Sequence, residues 1–395
     1  MPYVFDDLSA CCGCGLCQTV CPCQAITMMA DDEGFRYPSI DENLCSHCNA
    51  CQRVCVFQKG PEYKPMAYYA ARHKEAAVLA RSSSGGVFAA MAHAVLDRGG
   101  VVFGAVFTED WQVVHAQANT ANDITPMHGS KYIPSDMDGV YTAVEALLKV
   151  GSPVLFTGVP CQVGALRKWL DMRSVPREKF FCLDIVCHSV ASPSIWQAYL
   201  DEFKKHYGQY PMEISFRSKA LGWSARRVTL ICGDGINVTD EWSKELDFFK
   251  LWSSQCINRP SCHSCPYANE KRMGDLTGGD FIGVEKLSYR YPKEEGVSVL
   301  SVNTEKGQEI LKKLPLHLIP VTRKQCLQQA LDYPAAAPKN RPAFWRTYTT
   351  EGFDKVVKKY GRMTLEKKLV YNIVVPICKK LGIYQFAAKL YLKKK

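Results

Sequence analysis

The rhythm of apolar and polar positions changes at about residue 67. Beyond it, short apolar runs of strand type alternate with longer stretches of helical period. AYYAAR (67–72) and VVFGAVF (101–107) predict strands. Between them, GGVFAAMAHAVLD (85–97) predicts a helix with Ser and Gly at its start. SPVLFTG (152–158) predicts a strand, and PCQVGALRKWL (160–170) a helix opened by proline. KFFCLDIVC (179–187) predicts another strand, with a helix following near 193–207. MEISFRS (212–218) and RRVTLIC (226–232) predict β structure, and GVSVLSVN (296–303) with the helix after it closes the region. Such alternation predicts an α/β or α+β body around a mixed sheet. Residues 345–395 predict mainly helix, and VFQKGPEYKPM (56–66), with two prolines and few apolar anchors, predicts a linker.

The first 56 residues follow neither rhythm; their repeat is one of cysteine. Cys11, Cys14, Cys17 and Cys21 have the spacing C-x2-C-x2-C-x3-C, followed by Pro22, and Cys45, Cys48, Cys51 and Cys55 repeat it, followed by Val56. This is the ligand pattern of a bacterial ferredoxin with two [4Fe–4S] clusters, in which the fourth cysteine of each run serves the other cluster. Cys11, Cys14, Cys17 and Cys55 therefore form one set, and Cys45, Cys48, Cys51 and Cys21 the other. A tight loop has to present three thiolates to three irons of one cube, and Gly13 and Gly15 help it turn. Structural zinc also uses C-x2-C pairs, but two matched runs of four favour cubanes. Cys12 and Cys23 fall outside the pattern and read as spare thiols.

Composition adds two constraints. Nineteen cysteines in 395 residues are too many for a generic enzyme, and the length leaves room for two or three domains. The start, MPYVFDDLSACC, lacks a basic segment followed by an apolar one, and no apolar run approaches about 18 residues. We therefore expect a cytoplasmic protein whose clustered thiols bind metal rather than form disulfides. The net charge of +10 is carried by the tail, where Lys339–Lys395 holds 15 Lys/Arg against 3 Asp/Glu. Within that tail LVYNIVVPIC (369–378) is too short to span a membrane. Its simplest reading is a solvated helical surface; peripheral contact with the inner membrane face or with an acidic partner is the alternative. A near-neutral body without a recognised binding motif argues against nucleic acid.

Four more cysteines stand in suggestive places. Cys161 opens a helix in GVPCQ, Cys187 ends a strand in DIVCH, and Cys262 and Cys265 form a C-x2-C pair in RPSCHSCPYA. Together they could hold a third cluster, a zinc ion or a redox disulfide, with buried thiols as the plainer reading. Cys182, Cys232, Cys256, Cys326 and Cys378 show no such pattern and read as core or incidental. The run Ser82-Ser83-Ser84-Gly85-Gly86 at a helix start suits a phosphate, although a serine N-cap has the same signature. Ser130 and Lys131, in HGSKY, are further candidates for a phosphate contact. No G-x-G-x-x-G follows a strand, so a Rossmann nicotinamide site is not indicated.

Taken in order, SSSGG, GSKY, FTGVPCQ, DIVCH, FRSKALGW, RPSCHSCPYA and GDLTGGDFIG resemble the family of coenzyme F420 hydrogenase/dehydrogenase beta subunits, over about residues 1–360. The expected chain is α+β and has four parts. Charge marks a basic helical tail (341–395), and the resemblance implies the rest: a two-cluster ferredoxin domain (1–60), an N-terminal-like region of the family (67–150) and a C-terminal-like region with FAD and a third cluster (151–340). It makes Cys161, Cys187, Cys262 and Cys265 the third cluster's ligands, and Ser83, Ser84, Gly85, Gly86, Ser130 and Lys131 the FAD contacts. Asp275 and Asp280 match a family motif of unassigned role. Ser189 departs from the family, which commonly has glycine after the histidine.

The expected function is an FAD- and [4Fe–4S]-dependent oxidoreductase that moves electrons between ferredoxin-type clusters and a flavin-linked donor or acceptor, an F420-type deazaflavin or an organic substrate. The alternative is an electron-input subunit that reduces a partner enzyme, linked in some family members to surface polysaccharide, with no organic substrate of its own. A redox sensor needs less machinery than this. Expected partners are a ferredoxin or a reductase or hydrogenase subunit. His188 is a candidate proton donor at the flavin, and more simply a packed histidine beside Cys187.

Overall fold

In the computed structural model the described residues are 4–361, except 6, 58, 220–222, 224–226, 234, 236, 238–245 and 285–294, together with 377. Two compact units are present, one of residues 1–246 and 257–337, the other of 247–256 and 338–395.

The cysteine-rich segment folds as a repeat. The helices α1 (Leu16–Val20) and α2 (Ala50–Arg53) each end a cysteine loop, and the strands β1 (Ile26–Ala30) and β2 (Arg36–Ile40) pair antiparallel between the loops. Left-handed backbone falls at matching positions of the two loops: Gly13 and Gly15 in the first (φ 72° and 76°), His47 and Asn49 in the second (φ 54° and 56°). The second loop thus reaches the same turns with side chains, at a small steric cost.

The body contains β3 (Ala67–His73), α3 (Ala76–Arg81), α4 (Val87–Leu96), β4 (Val101–Phe107), β5 (Val113–Ala118), α5 (Val140–Lys149), β6 (Val154–Gly158), α6 (Pro160–Met172), β7 (Phe180–Ile185) and α7 (Pro193–Tyr207). A small separate sheet, β8 (Glu213–Ser218) with β9 (Arg227–Ile231), follows. After α8 (Asp247–Ser254) of the second unit come β10 (Leu276–Asp280), β11 (Ser298–Val302), α9 (Glu305–Leu311) and β12 (Leu316–Val321).

Eight strands form one mixed sheet in the order β12-β3-β11-β10-β7-β6-β4-β5. The inner four, β10, β7, β6 and β4, run parallel, and the remaining strands add antiparallel on both sides. A parallel core covered on both faces demands continuous apolar strands, and Val154, Leu155 and Phe156 of β6 are all fully buried. The second unit contains α8, α10 (Arg341–Glu351) and α11 (Phe353–Tyr360), with Leu251, Phe344 and Val356 buried. No helix among the described residues is long and apolar enough to cross a membrane.

The expected mixed α/β body is present, with these differences. The helix over 85–97 starts at Val87, because Gly86 takes a left-handed conformation (φ 81°) before it. In the body, the strands β5, β10 and β12 are additions to the sequence expectation. β10 reads LTGGD, which carries no β-branched run; its glycines serve packing, since a Cβ on Gly279 would stand 2.8 Å from Val186. The stretch 56–66 does not behave as a free linker. Val56 and Phe57 are buried, and Tyr63 pairs with Arg272 through N–H···O bonds of 3.0 and 2.7 Å. The helical expectation for the tail holds over α10 and α11; residues 362–376 and 378–395, with Cys378, lie outside the described residues.

The cysteine-rich segment is part of the first unit's core. Leu16, Val54 and Val56 share one hydrophobic cluster with Tyr141, Val163, Leu166, Trp169 and Tyr267 of the body. Tyr141 donates to the Cys14 carbonyl at 2.6 Å and Tyr267 to that of Val56 at 2.9 Å. At the hairpin tip, the Ser192 hydroxyl donates to the Glu33 carbonyl at 2.6 Å.

Candidate functional site

Cys17 lies beside Cys14 and Cys11 of its own run and near Cys51 of the other, while Cys21 joins the pocket of the second run. Burial raises the Cys17 thiol well above its usual range, and the neighbouring sulfurs of Cys14 and Cys11 add to this. Cys51 feels Cys48 and Cys21 in the same way. A pocket lined by Cys21, Cys45, Cys48 and Cys51 contains the whole second set. Backbone N–H groups point at the sulfurs, from Gly13 to Cys11 at 3.4 Å and from Ala25 to Cys21 at 3.3 Å. Such bonds stabilise a negatively charged thiolate and tune a bound cluster. The sets differ in exposure: Cys11 is buried and Cys48 exposed.

The four body cysteines also converge. The strands β6 and β7 are parallel neighbours, so their carboxyl ends lie side by side. Cys161 follows β6 in the first turn of α6, behind Pro160, and Cys187 stands two residues beyond β7. The Pro260–Ser264 turn brings Cys262 and Cys265 to the same end. Burial and the Cys265 sulfur push Cys187 up to about 12, burial and Cys187 push Cys262 up to about 12, and burial and Cys262 push Cys265 up to about 11. Cys161 is pulled down by a hydrogen bond from Cys12, but burial and the sulfurs of Cys265, Cys187 and Cys262 together leave it raised.

Four partly buried thiols near one another cannot all ionise unaided, and a metal centre is what would make them thiolates. The donor set therefore fits an iron–sulfur cube. Among the described residues no three His, Cys, Asp or Glu stand close enough to share a single metal ion. The thiolates of a cubane bind different irons and stand further apart than that. A second observation supports the fit. Ser189 has φ 145°, a glycine-type conformation, and its buried hydroxyl lacks a partner. This is the position where the resemblance leads one to expect glycine, and the orphaned hydroxyl lies two residues from Cys187.

Cys12, read from sequence as a spare thiol, is near enough to Cys14 and Cys161 for their sulfurs, with burial, to hold its thiol well above the usual range. Only the fold brings these three together, so spacing could not show it. Cys182, Cys232, Cys256 and Cys326 are buried, as expected of core thiols.

The acidic motif residues acquire structural roles. Asp184, fully buried at the end of β7, accepts N–H bonds from Met273 and Gly274 at 3.0 and 3.1 Å and stands 3.4 Å from the buried Arg272. It ties the strand before Cys187 to the segment after Cys265. Asp275 accepts from Arg167 at 3.1 Å, from the Thr304 hydroxyl at 2.8 Å and from the Cys182 N–H at 2.9 Å. Asp280 pairs with Arg217 at 2.5 Å, and its carbonyl accepts from Gln328. The Gln328 side chain in turn meets the His188 ring at 2.8 Å. His188 is thereby held in a packed polar chain, and both of its sequence readings stand.

At the serine–glycine run three sequence motifs meet. Ser83 and Ser130 approach hydroxyl to hydroxyl at 3.3 Å, Trp223 donates to the Ser83 carbonyl at 3.1 Å, and Lys219 donates to the Ser84 carbonyl at 2.9 Å. The remaining candidates face inward. The Ser84 hydroxyl donates to the Val297 carbonyl at 3.0 Å, and the Gly85 N–H to Ser298 Oγ at 2.9 Å. A Cβ on Gly85 would lie 2.2 Å from the Ala71 carbonyl oxygen, so glycine is required there by the sheet itself. Lys131 turns back on its own loop, donating to the carbonyls of Pro126 and His128 at 2.7 and 2.9 Å. A phosphate would therefore meet Ser83, Ser130 and the N-terminal end of α4 behind Gly86.

Comparison with known proteins agrees with these features. Residues 10–59 match the 4Fe-4S dicluster domain. Residues 68–141 and 151–317 match the N-terminal and C-terminal parts of the coenzyme F420 hydrogenase/dehydrogenase beta subunit. The chain is thus an iron–sulfur protein of an oxidoreductase class, and it belongs to the family of coenzyme F420 hydrogenase/dehydrogenase beta subunits.

A coenzyme F420-dependent sulfite reductase of Methanocaldococcus jannaschii is 31% identical over 172 residues, covering 41% of this chain and 25% of the relative. One subunit of the F(420)H(2) dehydrogenase of Methanosarcina mazei is 28% identical over 171 residues, covering 40% of this chain and 47% of the relative. These matches span less than half the length of either relative. A chain from the F420-reducing [NiFe] hydrogenase complex of Methanosarcina barkeri aligns with a TM-score of 0.45 at 21% identity, over 79% of this chain and 94% of that one.

Proposed function

We propose that this protein is an iron–sulfur flavoprotein that relays electrons from an external ferredoxin-type donor to FAD. Cys45, Cys48, Cys51 and Cys21 would hold the outer cluster, Cys11, Cys14, Cys17 and Cys55 the inner one, and Cys161, Cys187, Cys262 and Cys265 a third toward the flavin. The observation that carries this reading is the shared core of the ferredoxin segment and the body, where Cys14 packs against the same hydrophobic cluster as Cys161 and Cys265. Cubane clusters supply one-electron transfer, and a flavin exchanges single electrons for pairs.

The chain's own residues do the positioning. The shared core around Leu16, Val54 and Val56 fixes the ferredoxin segment, Asp184 and Arg272 fix the body loops, and Tyr141 and Tyr267 fill the space between the two. Burial of Cys11 and exposure of Cys48 support the inward order. For the FAD, Ser83 and Ser130 with the start of α4 take the pyrophosphate. Division into a ferredoxin part, two family regions and a basic tail near residues 60, 150 and 340 belongs to the same proposal.

The flavin's redox partner is F420 or an organic substrate if the chain acts alone, and a partner enzyme if it is an input subunit. Turnover of the isolated protein with reduced ferredoxin and each candidate acceptor separates the two.

Two variants test the assignment. Cys187→Ala is expected to lose about four irons per chain and to slow flavin reduction, with a cooperative melt and bound FAD as controls. A folded Cys187→Ala protein with full iron would remove Cys187 from the ligand set. Ser83→Glu places a carboxylate where the phosphate is expected, at a half-buried position that tolerates the volume better than Gly85. Its FAD content should drop at least tenfold at equal fold stability, and stoichiometric FAD would refute this placement.

A further inference from the structure

We propose that Arg259 is a built-in counter-charge for the centre held by Cys11, Cys14, Cys17 and Cys55, raising its reduction potential above that of the outer centre so that electrons run inward. The inference rests on the cluster assignment given above.

Arg259 is 1% exposed and lies between two ligand segments. Its guanidinium donates to the Cys11 carbonyl at 2.8 Å and the Arg36 carbonyl at 2.8 Å, and stands 3.7 Å from Cys11 Sγ. It stacks on Tyr37 and Phe35, with centroids at 4.3 and 5.3 Å. Its own carbonyl accepts the Cys262 N–H at 2.9 Å, so one residue spans the inner ferredoxin set and the body set. The approach is close enough to dictate sequence: a Cβ on Gly13 would lie 2.8 Å from the guanidinium.

A buried guanidinium without an anion is costly, because it cannot neutralise itself by losing its proton. Among the described residues Arg259 forms no carboxylate ion pair. Asp31 is near enough to feel its charge, but its carboxylate accepts the Phe35 and Glu33 N–H groups at 2.8 and 3.1 Å. The anionic group at hand is the Cys11 sulfur with whatever it ligates. At the outer centre Arg53 donates to the Cys48 carbonyl at 2.8 Å, but it is exposed, where solvent screens its charge.

The electron balance is simple. One electron leaves the outer centre, which is oxidised, and arrives beside Arg259, where the inner centre is reduced. No proton moves, since the guanidinium stays charged throughout. The added negative charge is stabilised by a fixed positive one already in place, so little rearrangement is needed.

The test is redox titration of the full chain, purified anaerobically, with the clusters followed by electron paramagnetic resonance. Arg259→Gln and Arg259→Met remove the charge; Arg259→Lys keeps it. One midpoint should fall in both neutral variants by a tenfold or larger change in the reduced-to-oxidised ratio, about 59 mV for a one-electron couple, and stay close to wild type in Arg259→Lys. The other midpoints should hold. If the neutral variants lose iron instead, loss of one cluster's worth with full retention in Arg259→Lys supports the counter-charge. Unchanged midpoints in loaded neutral variants, or equal shifts or iron loss in Arg259→Lys, would overturn it. Iron and sulfide in the wild-type protein report separately on the cluster assignment itself.

Discussion

The double substitution Cys14→Ala with Cys48→Ala is expected to strip both ferredoxin-type centres, about eight irons per chain, and to abolish reduction of the flavin by an external ferredoxin. One ligand is removed from each set. Cys14 belongs to the buried loop whose carbonyl receives Tyr141, and Cys48 to the exposed loop of the outer pocket. Loss of the metal should also loosen the body, because Leu16, Val54 and Val56 are shared core rather than a tethered appendage. A metal-held fold gives up binding free energy when its ligands are removed. The melting temperature of the whole first unit should therefore fall, while FAD remains measurable at low temperature. Iron content and paramagnetic signals equal to wild type would show that these cysteines are not ligands.

Asp275→Ala is expected to cause a large loss of stability, well above that of Asp280→Ala. Asp275 is 1% exposed, and its removal leaves Arg167, Thr304 and the Cys182 N–H without their acceptor. Breaking a buried pair while one charge stays behind costs about 3–5 kcal/mol. Asp280→Ala is the contrast, because the Asp280 side chain is 24% exposed and accepts from the Arg217 side chain; a smaller loss of about 1–3 kcal/mol is expected there. Denaturant midpoints of anaerobic samples with equal iron check the ranking. Equal costs for the two variants would mean that the Asp275 cluster is not the brace described.

How much of the molecule is legible in the sequence depends on how locally each feature is encoded. Both four-cysteine loops are legible because a cubane takes three ligands within seven residues, and Pro22 and the glycines mark the turns. The parallel core strands are legible from their apolar runs. The strand β10 is not, because Gly278 and Gly279 read as turn residues until Val186 is seen packed against Gly279. The prolines of 56–66 mark a linker, yet Tyr63 and Arg272, distant in sequence, pair and fix it. Cys161, Cys187, Cys262 and Cys265 emerge from motif order, since their convergence depends on strand adjacency that no spacing encodes. Cys12 and Tyr141 carry no sequence signal for the same reason, and Arg259 and Tyr267, though inside RPSCHSCPYA, are given no role by it. Their significance lies in what they touch.

The central claim is that this chain carries three cubane clusters and a flavin in one connected path. The most direct measurement is iron, acid-labile sulfide and flavin per chain in anaerobically purified protein. The account predicts about twelve irons and twelve sulfides, four from each cubane, with one FAD. About eight irons, or zinc at the body cysteines, or protein without flavin, would contradict it.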